Sequence, residues 1–138
     1  MIKIEKLENE IFGPVDLTLE SGQGLVVRGA SGSGKTRFMR GVADLDETRG
    51  EVIVDDMARS EMPAFEWRRL VRFVPADSHW WYERVGEHFE RSDGLIRDME
   101  QLGLKPAQLN QPVSELSTGE KQRLAFLRAI ADKPKVLL

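Results

Sequence analysis

Cysteine is absent from the 138 residues, which excludes disulfides and thiol chemistry and sets a reducing compartment, by default the cytoplasm, as the expectation. Positive charge is not in excess. A formal net charge of −3 gives no electrostatic case for nucleic-acid binding, which shows itself as a clustered basic face. Basic stretches such as Arg68-Arg69 and Lys121 to Arg123 sit among acids and read as solvated helix faces. Long apolar runs are missing too. The opening MIKIEKLENE mixes charges into its first turns and lacks the apolar core of a signal peptide, and no stretch approaches the length needed to span a bilayer. Work at a membrane would need another protein to hold the chain there. Internal repeats, low-complexity tracts and a linker between domains are also lacking. What is present, 41% hydrophobic and 31% charged residues, is the composition of one globular domain around a single packed core.

Hydropathy patterning gives an α/β order of elements. Ile2 and Ile4 alternate with Lys3 and Glu5, Val15, Leu17 and Leu19 alternate with polar residues, and SGQG after them makes a turn; this predicts an antiparallel edge region. LVVRGA, residues 25–30, is a continuous apolar run of the kind buried on both faces of a parallel sheet, and it leads through a glycine-rich turn into a helix from about Lys35 to Ala43. GEVIVDD predicts another short strand, and FEWRRLVRFVPAD a helical turn feeding a strand that stops at Pro75. Leu95, Ile96, Met99 and Leu102 recur at helical spacing, the pattern of a core-facing stripe. A last helix runs from Ser117 to about Asp132, Pro134 ends it, and KVLL predicts a buried strand.

The strongest chemical signal is GASGSGKT, Gly29, Ala30, Ser31, Gly32, Ser33, Gly34, Lys35 and Thr36. It fits the phosphate-binding pattern G-x-x-x-x-G-K-[ST], placed after a predicted strand and before a predicted helix, the context the motif requires. The glycines let the backbone come close to phosphate oxygens, while successive N–H groups and the helix N-terminus favour an anion. Lys35 has the length to reach β- and γ-phosphates, and the Thr36 hydroxyl is a candidate ligand for Mg²⁺. Such a loop specifies a nucleoside triphosphate and leaves open what is done with it.

A second stretch, LSTGEKQR, poses a question of its own. Ser117 followed by Glu120 is a capping box, in which hydroxyl and carboxylate satisfy two orphan backbone donors at a helix start. The whole segment LSTGEKQRLAFLRAIADKPKVLL also resembles the signature segment of ATP-binding cassette (ABC) ATPases: LSGGQ, a basic helix, and a hydrophobic strand leading to an Asp-Glu pair. The resemblance extends to residues 29–56, which look like that family's Walker A helix and the strand after it, and to RRLVRFVPADSHWWYERVGEHF, which looks like its Q-loop strand and the segment beyond. The resemblance implies an α/β P-loop core sheet with an N-terminal antiparallel β region and a helical subdomain from about 77 to 117. It implies a cassette that binds ATP and Mg²⁺ and pairs head to tail with a second cassette, as homodimer or heterodimer. Leu116, Ser117, Thr118, Gly119 and Glu120 would then face the γ-phosphate held by the partner's loop. Phe12 lies near where the family places an aromatic ring against adenine; packing in a turn or core is the competing reading. A polytopic membrane subunit would be the second partner, with the cassette peripheral at the inner face of the membrane, and no nucleic acid is expected.

The chain departs from the family pattern in three places. The Q-loop glutamine falls at Ala76, which neither contacts Mg²⁺ nor relays to a partner, although Asp77 is one residue away; a simple turn is the plainer reading. Thr118 replaces the first signature glycine, and Glu120 its final glutamine. The sequence ends at Leu138, inside the strand that should deliver the Mg²⁺-binding aspartate and catalytic glutamate, so the catalytic residues stay unknown and a C-terminally incomplete cassette is expected. His79 and His88 precede the signature and do not match the family's switch histidine. ATP binding is thus better supported than hydrolysis. Trp80, Trp81 and Tyr82, just past the Q-loop, cannot all point inward, so at least one is expected to be exposed, as an anchor for the membrane subunit or as a packed lid. The alternatives to a transporter subunit are a soluble ABC-type ATPase, a non-hydrolysing ATP-binding module, and, with no evident use for the LSTGE helix, a small-molecule P-loop kinase.

Overall fold

Alternation of apolar and charged residues at the N-terminus resolves as β1 (Ile2–Glu8), which pairs antiparallel with β2 (Val15–Leu19) on one side and with β3 (Arg49–Val54) on the other. β3 turns through Asp55 and Asp56, both left-handed, into the short β4 (Met57–Ala58), giving a four-stranded sheet of order β2-β1-β3-β4. The register shifts along β1 between Ile4 and Leu7, and this irregularity returns Leu7 to the face already occupied by Ile2 and Ile4. All three are buried, with Val52 and Val54 from β3.

The computed structural model describes residues 1–138, which divide into two compact units: residues 1–73 with 134–138, and residues 74–133. In the first unit, α1 (Lys35–Val42) and α2 (Ala64–Leu70) supply Val42, Ala43 and Trp67 to the core under the sheet. A two-residue parallel pair, β5 (Val71–Arg72) with β6 (Val136–Leu137), completes it. The second unit is helical. α3 (Asp93–Gln101) is capped by Ser92, whose hydroxyl accepts the Leu95 N–H at 3.1 Å, and α4 (Thr118–Ile130) packs Leu124 and Leu127 against Met99, Val85, Leu104, Leu109 and Leu116. Leu95, Ile96 and Leu102 lie along the same core, as their spacing predicts. No helix is long and apolar enough to cross a membrane.

Three sequence expectations fail in whole or in part. Residues 25–30 form no strand, and Leu25, Val26 and Val27 are exposed, Val26 at 72%. A strand buried on both faces needs ladder partners on both edges. The ladders of this unit are β2-β1-β3-β4 and β5-β6, and no strand pairs with the run, which therefore lacks the neighbours a buried strand needs. The final KVLL does form β6, but it is not buried: Leu137 is 40% exposed, because β6 has a single neighbour. The strand expected to reach Pro75 likewise ends at Arg72.

The C-terminal end of α1 is where this unit is tied together. The last carbonyls of a helix have no intrahelical donor, and here side chains from residues 59–68 supply them. The Trp67 indole, fully buried, donates to the Val42 carbonyl at 2.9 Å. Arg59 donates to the carbonyls of Gly41 at 2.9 Å and Gly50 at 3.0 Å and to the Thr48 hydroxyl at 2.8 Å, and Arg68 donates to the Asp44 carbonyl at 2.7 Å. Both arginines also oppose the negative end of the helix dipole. From α1 itself, Arg40 and Arg37 clasp Asp46 at 2.7 and 2.9 Å. The Arg40 hydrogen bond, reinforced by Arg37 and opposed by burial, holds the Asp46 carboxyl down at about 2.

Trp67→Phe leaves the Val42 carbonyl without its donor and a void beside it, and we expect it to cost about 2–4 kcal/mol in urea unfolding. Asp46 is depressed in the folded state, so its contribution is present above the ordinary aspartate range and is lost as pH falls from about 4 toward 2. Asp46→Asn should therefore lower stability by about 1–2 kcal/mol at pH 7, and the gap to wild type should close toward pH 2.

Candidate functional site

The glycine-rich loop ends where α1 begins, and its conformation is one that ordinary residues resist. Gly32 and Gly34 have φ of +79° and +90°. A Cβ on Gly34 would also lie 3.2 Å from Ile11 Cγ2 and 3.3 Å from Phe12 Cβ, so both the backbone and its neighbours call for glycine there. The Ser33 N–H closes a turn onto the Ala30 carbonyl at 3.2 Å. Lys35 lies back across the loop, its ammonium donating to the carbonyls of Gly29 at 2.8 Å and Ala30 at 2.7 Å. Thr36 follows, exposed. α1 starts without a side-chain cap and with no acidic residue in its first turn. Its N-terminal donors and positive dipole end are thus left for an anion, with a cation beside them. The donor set fits a polyphosphate. For Mg²⁺, Thr36 offers one neutral oxygen.

α4 begins in the opposite way. Ser117 accepts the Glu120 N–H at 3.3 Å, and Glu120 Oε2 accepts the Ser117 N–H at 2.8 Å and the Ser117 hydroxyl at 2.6 Å. The predicted capping box is therefore fully formed. Leu116 is buried and anchors the turn, Ser117 and Thr118 are exposed, and Gly119 lies beneath the Arg123 guanidinium. The Ser117 hydroxyl and N–H lower the Glu120 carboxyl below its usual range against the cost of burial, and Gln108 and Arg123 lower it further by smaller amounts.

Phe12 is half-buried with its ring edge-on to Phe38 at 5.6 Å, beside Gly34 and at the margin of the first unit's core. Ala76 and Asp77 lie in an exposed bend. Of the three adjacent aromatics, Trp81 and Tyr82 are exposed, at 63% and 52%, and Trp80 is packed on the second unit's core. Sequence reasoning missed what organises them. His88 Nε2 accepts the backbone N–H groups of Trp81 at 3.2 Å and Tyr82 at 3.1 Å, and Arg128 stacks on Trp80 and Trp81 at 4.8 and 4.6 Å. Gln108 was missed as well: it is the buried polar side chain of the chain, and its Nε2 donates to Glu120 Oε1 at 2.7 Å. The segment K-P-A-Q carried the available signal, a proline at the first position of a turn and a glutamine at the third.

The sequence model of the family described as "ABC transporter" matches residues 12–138. Among curated proteins, the spermidine/putrescine import ATP-binding protein PotA of Bacillus anthracis is 28% identical, covering 100% of this chain and 47% of its own length. The lipoprotein-releasing system ATP-binding protein LolD 2 of Chlorobaculum tepidum is 34% identical, covering 94% of this chain and 61% of its own. The chain thus spans about half the length of PotA. Two solved structures share the fold: a bacterial Atm1-family ABC exporter with ATP bound, at TM-score 0.82 and 19% identity over 99% of this chain and 28% of that one, and the dimeric bacterial ABC transporter cassette MJ0796, at 0.78 and 21% over 99% and 72%.

Gly34→Ala tests whether the loop depends on its left-handed start to α1. A side chain there costs about 1–2 kcal/mol from backbone conformation, and a thermal melt should fall accordingly, with the change confined to the first unit in an amide spectrum.

Proposed function

This chain belongs to the ABC transporter family, and we propose that it binds ATP at residues 29–36 and clamps it against the signature turn of a second cassette, driving a polytopic membrane partner. The observation that carries this reading is the bare start of α1: no cap, no acid in the first turn, and Lys35 lying beside it. The loop amides and Lys35 take the triphosphate charge, and Thr36 gives an oxygen to Mg²⁺. In this reading the base lies against Phe12, which is beside Gly34. The nucleotide supplies the negative charge that a second copy's α4 start, with Ser117 and Gly119, closes on. Trp81 and Tyr82 offer the membrane subunit two aromatic anchors on a fixed backbone, with the cassette peripheral at the cytoplasmic face. We assign no residue of this sequence to holding or orienting the attacking water. Ala76, which has no side-chain oxygen to offer a metal, favours a second reading in which the chain binds ATP without hydrolysing it.

Calorimetry with Mg²⁺ and ATP, alongside Lys35→Ala and a phosphate-release assay, tests both readings. Loss of one charge-assisted partner should weaken binding by about tenfold or more in Lys35→Ala. Equal binding by both proteins would sink the loop assignment, and Lys35-dependent phosphate release would sink the non-hydrolysing reading.

A further inference from the structure

We propose that Gln108 is a positioning residue of the signature turn: its buried amide seats the Glu120 carboxylate on Ser117, so that the Ser117 hydroxyl proton is withheld from an incoming phosphate until that seat is broken. The proposal rests on the reading above, in which Ser117 meets a γ-phosphate, and adds what governs the meeting.

The arrangement builds outward from the core of the second unit. Gln108 is 7% exposed. The Lys105 N–H donates to its Oε1 at 2.7 Å, which fixes which end of the amide is nitrogen and turns Nε2 to Glu120 Oε1, also at 2.7 Å. A buried amide has no water to exchange partners with, so this orientation is held. The remaining oxygen of Glu120 receives both donors of Ser117. In this state the Ser117 Oγ gives its proton to Glu120 and accepts the Glu120 N–H. It has no proton left to offer outward, and a carboxylate charge stands directly behind it. A phosphate therefore competes with the self-capped state, and its apparent affinity falls by the fraction of chains in which the seat is closed. Glutamine at position 120 preserves the capping pattern and removes the charge. Arg123, one turn along α4, is the charged group acting on Glu120; the turn at residues 106–110 presents Gln108 to it.

The test is made on the full 138-residue chain by carbon-13 NMR of the Glu120 carboxyl against pH, with hydrogen exchange at the Ser117 amide, in wild type, Gln108→Met and Gln108→Glu. The wild-type carboxyl should stay ionised to below the ordinary glutamate range, with the seat lost as pH falls through that value. Gln108→Met should move the titration up toward the ordinary value and speed Ser117 exchange by about tenfold. Gln108→Glu should move it further, since a second carboxylate then faces the first. A side chain that only fills space leaves the titration and exchange unchanged in Gln108→Met, and that result overturns the proposal. In a second arm, Mg²⁺ and ATP are added and pairing of chains is followed by sedimentation. Glu120→Gln should pair about tenfold more tightly than wild type, as expected when one like charge is removed from a phosphate site. Pairing no tighter than wild type, with Lys35-dependent ATP binding intact, overturns the withheld-proton step. Absence of nucleotide-driven pairing in every variant overturns the trans reading and with it the phosphate half of the proposal, while the carboxyl titration still decides the seating.

Discussion

The carbonyls that end α1 determine much of the first unit. A helix of eight residues is too short to hold itself together in water, so its rigidity comes from tertiary contacts. Trp67 meets Val42, Arg59 meets Gly41, and Arg37 and Arg40 clasp Asp46 in the turn beyond. All these ties fall in the second half of the helix or after it, apart from Arg37. The first turn is left without a cap. A helix fixed at one end and open at the other can present its amides to a ligand without rearranging, which is the condition for electrostatic preorganisation.

Set beside α1, the start of α4 shows how one element type serves two chemistries. Both helices have a small residue at the cap, Gly34 and Ser117, and both carry cations in their first two turns. α4 satisfies its own donors through Ser117 and Glu120, and Gln108 reinforces that choice from the core. One terminus has no side-chain cap and no acid in its first turn, and the other is capped by its own carboxylate. The difference traces to single residues: glycine at the cap of α1, serine at the cap of α4, and an acid three places on.

Legibility in the sequence followed the range of the interactions. β1 to β3, α1, α3 and α4 were readable because alternation, helical spacing and capping are local patterns, and the family membership was readable because two motifs stand in a fixed order. LVVRGA was misread because a strand is a property of a pair: apolar composition states what the segment needs, and its partners are not written in it. KVLL failed by half for the same reason, finding one neighbour where burial needs two. Gln108, His88 and Arg59 were invisible for a different reason. Gln108 acts on Glu120, 12 positions away, Arg59 on Gly41, 18 positions away, and His88 on the backbone N–H groups of Trp81 and Tyr82, and hydropathy carries no trace of a single side chain reaching so specific a partner.

The three tryptophans divide between the two units in a way that gives each its own optical signal. Trp67 is sealed in the first unit, away from water, the setting of an emission blue-shifted relative to an exposed indole. Trp80 and Trp81 belong to the second, stacked under Arg128 and against His88, where emission is red-shifted for the exposed ring and open to quenching by its neighbours. Intrinsic fluorescence therefore carries one signal from each unit in one cuvette, and a spectrum that loses one component before the other reports which unit has opened first.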